Sequence, residues 1–396
     1  MKKVKKTRSP KLFLSAALGA AAACSASAYE VPLTFMGTNM PPLDFHGFAS
    51  QGFLVSDKYD YLGNTRDGSF KFTEAGLNAA INPFPRTRIT AQGFLYDVGD
   101  AGGYDVVLDY ASAEYTFSDL LGVRGGRIRR PEGIYNAIQD LDLARTSVLL
   151  PQGMYNARWR DFYTSIDGAA LFGSIPLSAA GSLSYEAYAG YQNPQMNGGL
   201  ALQRKGSPPY LPLMWINSPL NTGAQLWWNT PVNGLRVGAA MNVSLDVQYQ
   251  SVNGRLSDGS PFVQRYSLEY LWRKWTFQAE YYTYSVDYQQ SGGGSPHGVR
   301  HIEPDSWYAG ASYRFNKWFE AGAYYTEFYA DVHNRTGSAN YQKDAALSLR
   351  FDLTDWWIFK VEGHCINGTA QLFQQGEPPT SNDPWFMLAL KTTVSF

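Results

Sequence analysis

Within seven residues the chain places Arg124, Arg127, Arg129 and Arg130. The thirty residues that follow, PEGIYNAIQDLDLARTSVLLPQGMYNARWR, carry Glu132, Asp140, Asp142, Arg145, Arg158 and Arg160, and Asp161 and Asp167 come soon after. Guanidinium groups opposed to carboxylates have two uses. Facing each other across a narrow passage, they set up a transverse field that orients polar solutes and draws anions, because charge rings set pore selectivity. Paired directly, they pin one segment against another. The residue types allow both. Other chemistries find less support. Lys360, Glu362 and His364 alternate in a way that would put them on one face of a strand, but no G-x-S-x-G occurs and no Ser stands out as a nucleophile for them. His297 and His301 are four apart, a ligand spacing only on a helix, and they follow Gly292-Gly293-Gly294. Asp97, Asp100 and Asp105 in a Gly-rich stretch read as a solvated acidic turn before they read as a Ca²⁺ loop. No cofactor and no metal is implied.

The elements that must position these charges follow from composition and period. Of 396 residues, 44% are hydrophobic, 15% aromatic and only 17% charged, with 38 Gly. Soluble chains carry about a quarter charged residues. A charge-poor, aromatic-rich chain with a polar mean hydropathy of −0.30 is expected of a β-barrel in an outer membrane, whose strands face lipid on one side and water on the other. In 235–249, Leu235, Val237, Ala239, Met241, Val243, Leu245, Val247 and Tyr249 alternate with Arg236, Gly238, Ala240, Asn242, Ser244, Asp246 and Gln248. A helix cannot segregate these sets, whereas a strand does so at every step.

The same alternation predicts sixteen antiparallel strands: 43–56, 69–82, 87–97, 105–117, 121–130, 161–175, 181–192, 221–230, 235–249, 261–272, 275–288, 305–315, 319–332, 340–352, 357–371 and 385–396. Connections alternate between short ones, such as 83–86 and 273–274, and long ones, such as 289–304 and 372–384, as in barrels with short periplasmic turns and long outer loops. Trp272, Trp275, Trp318, Trp356 and Trp357 beside the short turns, and Tyr281, Tyr282, Tyr284, Tyr324, Tyr325 and Tyr329 towards the other end, predict two interfacial girdles. The longest connection is 131–160, and the spacing of Ile134, Ile138 and Leu141 predicts a short helix in it.

The chain opens with a secretory leader. Lys2, Lys3, Lys5, Lys6, Arg8 and Lys11 precede an apolar run over 12–23, and Ala26-Ser27-Ala28 offers a cleavage site. That run is too short to span a bilayer; Cys24 gives a weaker lipoprotein alternative. The organisation expected is a signal peptide over 1–28, a periplasmic N-terminal segment over 29–42 and a transmembrane barrel over 43–396. Beyond the leader, 27 Lys and Arg face 34 Asp and Glu, which argues against a nucleic-acid partner. Only Cys365 remains, so no internal disulfide is expected. A plugged, energy-coupled receptor would need more chain before the first strand than 29–42 supplies.

Gly126-Arg127-Ile128-Arg129-Arg130-Pro131-Glu132-Gly133 resembles the G-R-x-K-x-P-x-G run of proteobacterial outer-membrane porins, including the phosphate-selective type, and the terminal Phe396 after alternating apolar residues resembles their barrel-assembly signal. The resemblance implies that the long loop after the fifth strand folds into the lumen and that the barrels form homotrimers. On this reading the chain is a channel for passive diffusion of small hydrophilic solutes, with a weak anion preference. Its pore constriction would be built from Arg124, Arg127, Arg129, Arg130, Glu132, Asp140, Asp142, Arg145, Arg158, Arg160, Asp161 and Asp167, in contact with outer-membrane lipid outside. Parity with Ile128 facing lipid puts Arg127 and Arg129 in the lumen, and a bulge at Gly125-Gly126 would bring Arg124 inward too. The alternatives are a substrate-specific channel for small anions or organic acids, and a structural or lipase-like barrel. Strands 181–192 and 221–230 carry no Lys or Arg, which disfavours phosphate specificity because stripping water from phosphate needs repeated cationic sites.

Overall fold

The structure, a computed structural model, describes residues 29–35, 38–206, 213–251, 254–257, 259–288, 300–372 and 382–396. Residues 1–28, where a leader is expected, lie outside the described residues, as do Gly292–Gly294 and His297. Sixteen antiparallel strands close into a barrel: β1 Thr38–Ser56, β2 Phe72–Ile81, β3 Thr87–Val98, β4 Val106–Ser118, β5 Leu121–Arg129, β6 Ser165–Pro176, β7 Ser182–Gln192, β8 Leu213–Asn229, β9 Leu235–Leu245, β10 Phe262–Trp272, β11 Trp275–Tyr288, β12 Asp305–Arg314, β13 Phe319–Tyr329, β14 Tyr341–Thr354, β15 Trp357–Gly368 and β16 Trp385–Ser395. Each pairs with its sequence neighbour, and β16 closes on β1 in register from Phe48↔Ser395 to Ser56↔Met387. The last residue completes the seam. Gly47 and Phe396 exchange both backbone hydrogen bonds, and the Phe396 ring lies where a Cβ on residue 47 would have to go.

The barrel is inside-out, as a closed sheet in lipid must be. Along β9, Val237, Met241 and Leu245 are exposed on the outer wall while Arg236, Asn242 and Ser244 are buried within. One end carries turns as short as Arg273-Lys274, with Trp272, Trp275, Trp318, Trp356 and Trp357 exposed beside them. At the other end only part of the expected tyrosine girdle faces out. Tyr281 and Tyr325 do, but Tyr282 and Tyr324 are buried inside. Neighbouring tyrosines cannot share a face of one strand, so half of them line the interior.

Two segments depart from the expected strands. Asp246 takes φ +47° and ends β9 at Leu245. Gln248–Ser251 then forms a hairpin with Gly254–Ser257 and pairs with Asn217 to Leu213, which extends β8 eight residues beyond its expected start. The segment expected to precede the first strand is itself strand: Tyr29–Phe35 folds back on β1 with Tyr29 opposite Phe45, and β1 already begins at Thr38.

Candidate functional site

The site grows from β5. Its ladder to β4 runs from Glu114↔Arg124 to Ala111↔Arg127 without a shift, and its ladder to β6 runs unbroken from Gly122↔Phe172 to Arg129↔Ser165. Gly126 takes φ +120°, a region few other residues tolerate, yet no residue is inserted. The expected bulge at Gly125-Gly126 is therefore absent, and Arg124 and Ile128 share one face. That face is the interior: Ile128 packs with Ile166, Ala170 and Tyr188, and Arg124 bonds Glu114 and Glu186 at 3.1 and 2.8 Å. The opposite face, with the exposed Leu121 and Leu171, carries Arg127 opposite Asp167, paired at 3.3 Å. The parity expected for Ile128 and Arg127 is thus reversed, and Arg127 and Asp167 lie on the outer wall near the rim rather than at the narrowing. The bulge is one strand away. The β3–β4 register shifts beside Gln92, which leaves Asp109 next to Tyr110 and buried on the inner side. Arg129, at the end of β5, reaches this bulge and bonds both Asp109 and Asp140 of the loop.

The loop after β5 leaves and returns through a neck closed by Arg130 N–H to Thr164 O at 2.8 Å, and it folds into the barrel. The short helix expected at Ile134, Ile138 and Leu141 does not form as one element. Single 3₁₀ turns stand at Asn136–Ile138, Asp142–Ala144 and Ala157–Trp159, followed by one α turn, Arg160–Tyr163. Bonds to the surrounding walls take the place of a helical ladder. The Ile134 N–H and the Tyr155 hydroxyl both donate to Glu280 of β11, at 2.9 and 2.5 Å. Across the lumen, Val148 and Leu149 N–H donate to the two oxygens of Glu362 of β15 at 2.9 and 2.8 Å, Arg350 of β14 donates to Leu143 O at 2.7 Å, and Lys360 of β15 donates to Asp142 O and Ser147 O at 2.7 and 3.0 Å. Apolar contacts follow the same path: Tyr135, Leu150 and Met154 pack on Val263 and Tyr308, while Val148 and Leu149 join Leu54, Phe94 and Trp385.

Three ionic knots join the expected site residues to wall partners. In the first, Arg160 and Arg129 share Asp140 and Asp109, with Arg160 3.8 Å from the Phe94 ring centroid. In the second, Glu132 receives Arg130 at 2.6 Å, Arg265 of β10 at 3.1 Å and the Asn242 amide at 2.8 Å. In the third, Asp142 receives Arg145 at 2.9 Å, Lys391 of β16 at 2.9 Å and Thr393 at 2.7 Å, with Lys360 at 3.8 Å. Besides Arg124, Arg127 and Asp167, two further expected residues stand apart from the knots. Arg158 meets Asp100 of an outer loop at 3.7 Å. Asp161 accepts Gln195 N–H at 3.1 Å beside the start of the helix Gly199–Gly206, and burial pushes its carboxyl up to about 7.

Asp109, Arg265, Glu280, Arg350 and Lys391 also belong to the site although nothing singled them out in the sequence. For the last four the signal was available, because each is a charge on the polar side of an otherwise apolar alternation, and a charge in that position of a barrel strand faces the lumen; Asp109 sits in the bulge, where parity breaks. Most loop cations touch carboxylates within the same knot, so much of the expected transverse field is spent on anchoring. Arg129 Nη1, Arg130 Nε and Arg265 Nη1 have no protein acceptor. Elsewhere, His301 bonds Asp287 and Glu303 at 2.6 and 3.0 Å. Among the described residues no His, Cys, Asp and Glu cluster has the form of a metal site.

No family model and no curated protein matches the sequence. Solved structures match over nearly the whole chain. OmpT expressed in the outer membrane of Vibrio cholerae is 10% identical, with 92% of this chain and all of that chain covered and a TM-score of 0.58. An anion-selective porin from Comamonas acidovorans is 11% identical, with 89% and 99% covered and a TM-score of 0.58. Salmonella typhi OmpF in complex with daunomycin is 14% identical, with 92% and 100% covered and a TM-score of 0.57. The fold is the sixteen-stranded porin barrel.

Proposed function

We propose that this chain is an outer-membrane porin through which small hydrophilic solutes diffuse passively, without catalysis. One observation carries the reading: the predominantly polar face of the sixteen strands is turned inward, around a loop that descends from β5 and is anchored on the far side at β11 and β15. A barrel of this strand number encloses a channel, and a loop held within it narrows the passage. The constriction assigned to this loop comprises Arg129, Arg130, Glu132, Asp140, Asp142, Arg145 and Arg160, with Arg124 below. A weak anion preference remains part of the reading, carried by cations in excess over the carboxylates they touch, above all Arg130 and Arg265 on the single carboxylate of Glu132.

Assembly as a homotrimer is supported by the outer wall. On the outer face of β1–β5 the small residues Ala49, Ala75, Ala79, Ala91, Ala113 and Gly125 alternate with exposed Leu77, Ile89, Val106, Leu108 and Tyr115, an apolar surface fit for a second copy, whereas Trp272, Trp275, Trp307, Trp318 and Trp356 stand out on the other side. The outward Arg127–Asp167 pair lies at the rim of that apolar face. A lipase-like reading gains no support at the one candidate. Ser348 donates to Glu362 at 2.5 Å rather than to His364, whose two nitrogens meet Asp344 and Glu362 at 2.9 and 3.0 Å beneath the loop. Purified protein in planar bilayers is expected to give stepwise, ohmic conductance in potassium chloride. A silent membrane at high protein dose refutes the porin reading and favours a structural barrel.

A further inference from the structure

Lys360 and Lys391 are inward-facing lysines on adjacent strands, opposite each other in register, with side chains 1% and 0% exposed. Buried ammonium groups are stable only with anions beside them. Lys391 has Glu74 of β2 at 2.5 Å from the wall itself, but the carboxylate nearest Lys360 is that of Asp142, which belongs to the loop. Asp142 is bound as a solute carboxylate would be. One oxygen takes Lys391 Nζ and the Thr393 hydroxyl, and the other takes Arg145 and faces Lys360. Arg145 is a loop residue and leaves with the loop, whereas the two lysines and Thr393 stay on the wall. If this part of the loop moves, Lys360 loses its carboxylate and both of its carbonyl acceptors at once.

We propose that Lys360, Lys391 and Thr393 form a carboxylate-binding site on the wall of the channel, that small carboxylate anions are its solutes, and that Asp142 occupies it as a tethered stand-in which an incoming solute displaces. The inference rests on the porin reading and names its solute class. A tethered carboxylate competes at an effective concentration in the millimolar range or above, so the resting site binds free carboxylate weakly and the loop leaves the wall only when a solute has taken its place. The neck at Arg130 and Thr164 holds the loop at its base, away from this limb.

The test uses the full-length barrel in detergent, with folding verified by heat-modifiable migration, and [¹³C]acetate as the probe against chloride at constant ionic strength. Acetate linewidths report binding, and planar-bilayer conductance in potassium chloride is measured on the same samples. Asp142→Asn, which keeps the shape of the side chain and removes its charge, is expected to bind acetate about tenfold more tightly than the unaltered protein, since the tethered competitor is lost. Adding Lys360→Gln to Asp142→Asn is expected to abolish the gain. Adding Thr393→Val, which leaves both lysines in place, is expected to reduce it. Equal acetate binding with and without Asp142→Asn overturns the proposal, and so does a gain that survives both Lys360→Gln and Thr393→Val. If chloride conductance is present in either of these cases, the porin reading stands and only the solute site falls; if conductance is absent from every sample, the porin reading falls with it.

Discussion

Glu362 is the firmest hold of the barrel on the far side of the loop, and removing it gives a quantitative test of the loop's placement. Its carboxylate is fully buried and accepts two loop amides, Val148 N–H and Leu149 N–H, together with the wall groups Ser348 and His364. Glu362→Ala takes away both amide bonds while leaving the wall partners on the wall. Hydrogen bonds to a charged group contribute about 1.5–3 kcal/mol each, so the loop loses about 3–6 kcal/mol of anchoring here. Even the lower figure raises the population with this segment detached by about a hundredfold, at tenfold per 1.4 kcal/mol. Leu149 is 2% exposed, so a Leu149→Cys reporter with Cys365→Ser is protected from a polar maleimide until the segment lifts. In that background Glu362→Ala is expected to speed labelling about a hundredfold, and Glu362→Gln, which keeps one acceptor oxygen, to speed it about tenfold. Labelling rates that agree within about twofold across all three proteins would refute the assignment of Glu362 as the anchor, and with it the route of the loop across the lumen.

Other outcomes follow from the same geometry. Arg124→Glu places a third carboxylate beside Glu114 and Glu186 in the lumen and is expected to move the reversal potential in a salt gradient towards cations, whereas Arg127→Glu on the outer wall leaves it in place; the reverse pattern would restore the bulge at Gly125-Gly126. Asp161 binds its proton more tightly folded than unfolded, so its contribution to loop stability is complete below the unfolded pKa near 4 and is lost as pH rises towards about 7. Asp161→Asn is therefore expected to leave protection of the helix Gly199–Gly206 from proteolysis unchanged near pH 4 and to improve it at pH 8. Equal cleavage of the two proteins at pH 8 would show that the carboxyl carries no such strain. Gly126→Ala, at φ +120° and with a Cβ directed against the Ala111 carbonyl, is expected to slow barrel assembly, read as a lower heat-modifiable fraction.

The sequence by itself determined the barrel. Period-two alternation depends on one residue and its two neighbours, lipid enforces it at every step, and a charge on the wrong face costs about 2–4 kcal/mol at the midplane. That is why the strand count and nearly every strand span could be read from residues such as Leu235 to Leu245 or Phe386 to Phe396. Where a glycine pair or a bulge interrupts the rule, a one-residue ambiguity exchanges inside for outside, so the pattern around Gly125-Gly126 leaves the faces of Ile128 and Arg127 open and does not reveal that the insertion lies at Asp109. The loop charges were visible as a set but not their partners. Asp142 meets Lys360 and Lys391 more than two hundred residues along the chain, and Glu132 meets Arg265 from β10, contacts that exist only because closure brings opposite walls within reach of one loop. Tertiary structure alone decided that most of these arginines grip carboxylates, because a buried guanidinium must find its anion wherever the fold has put one.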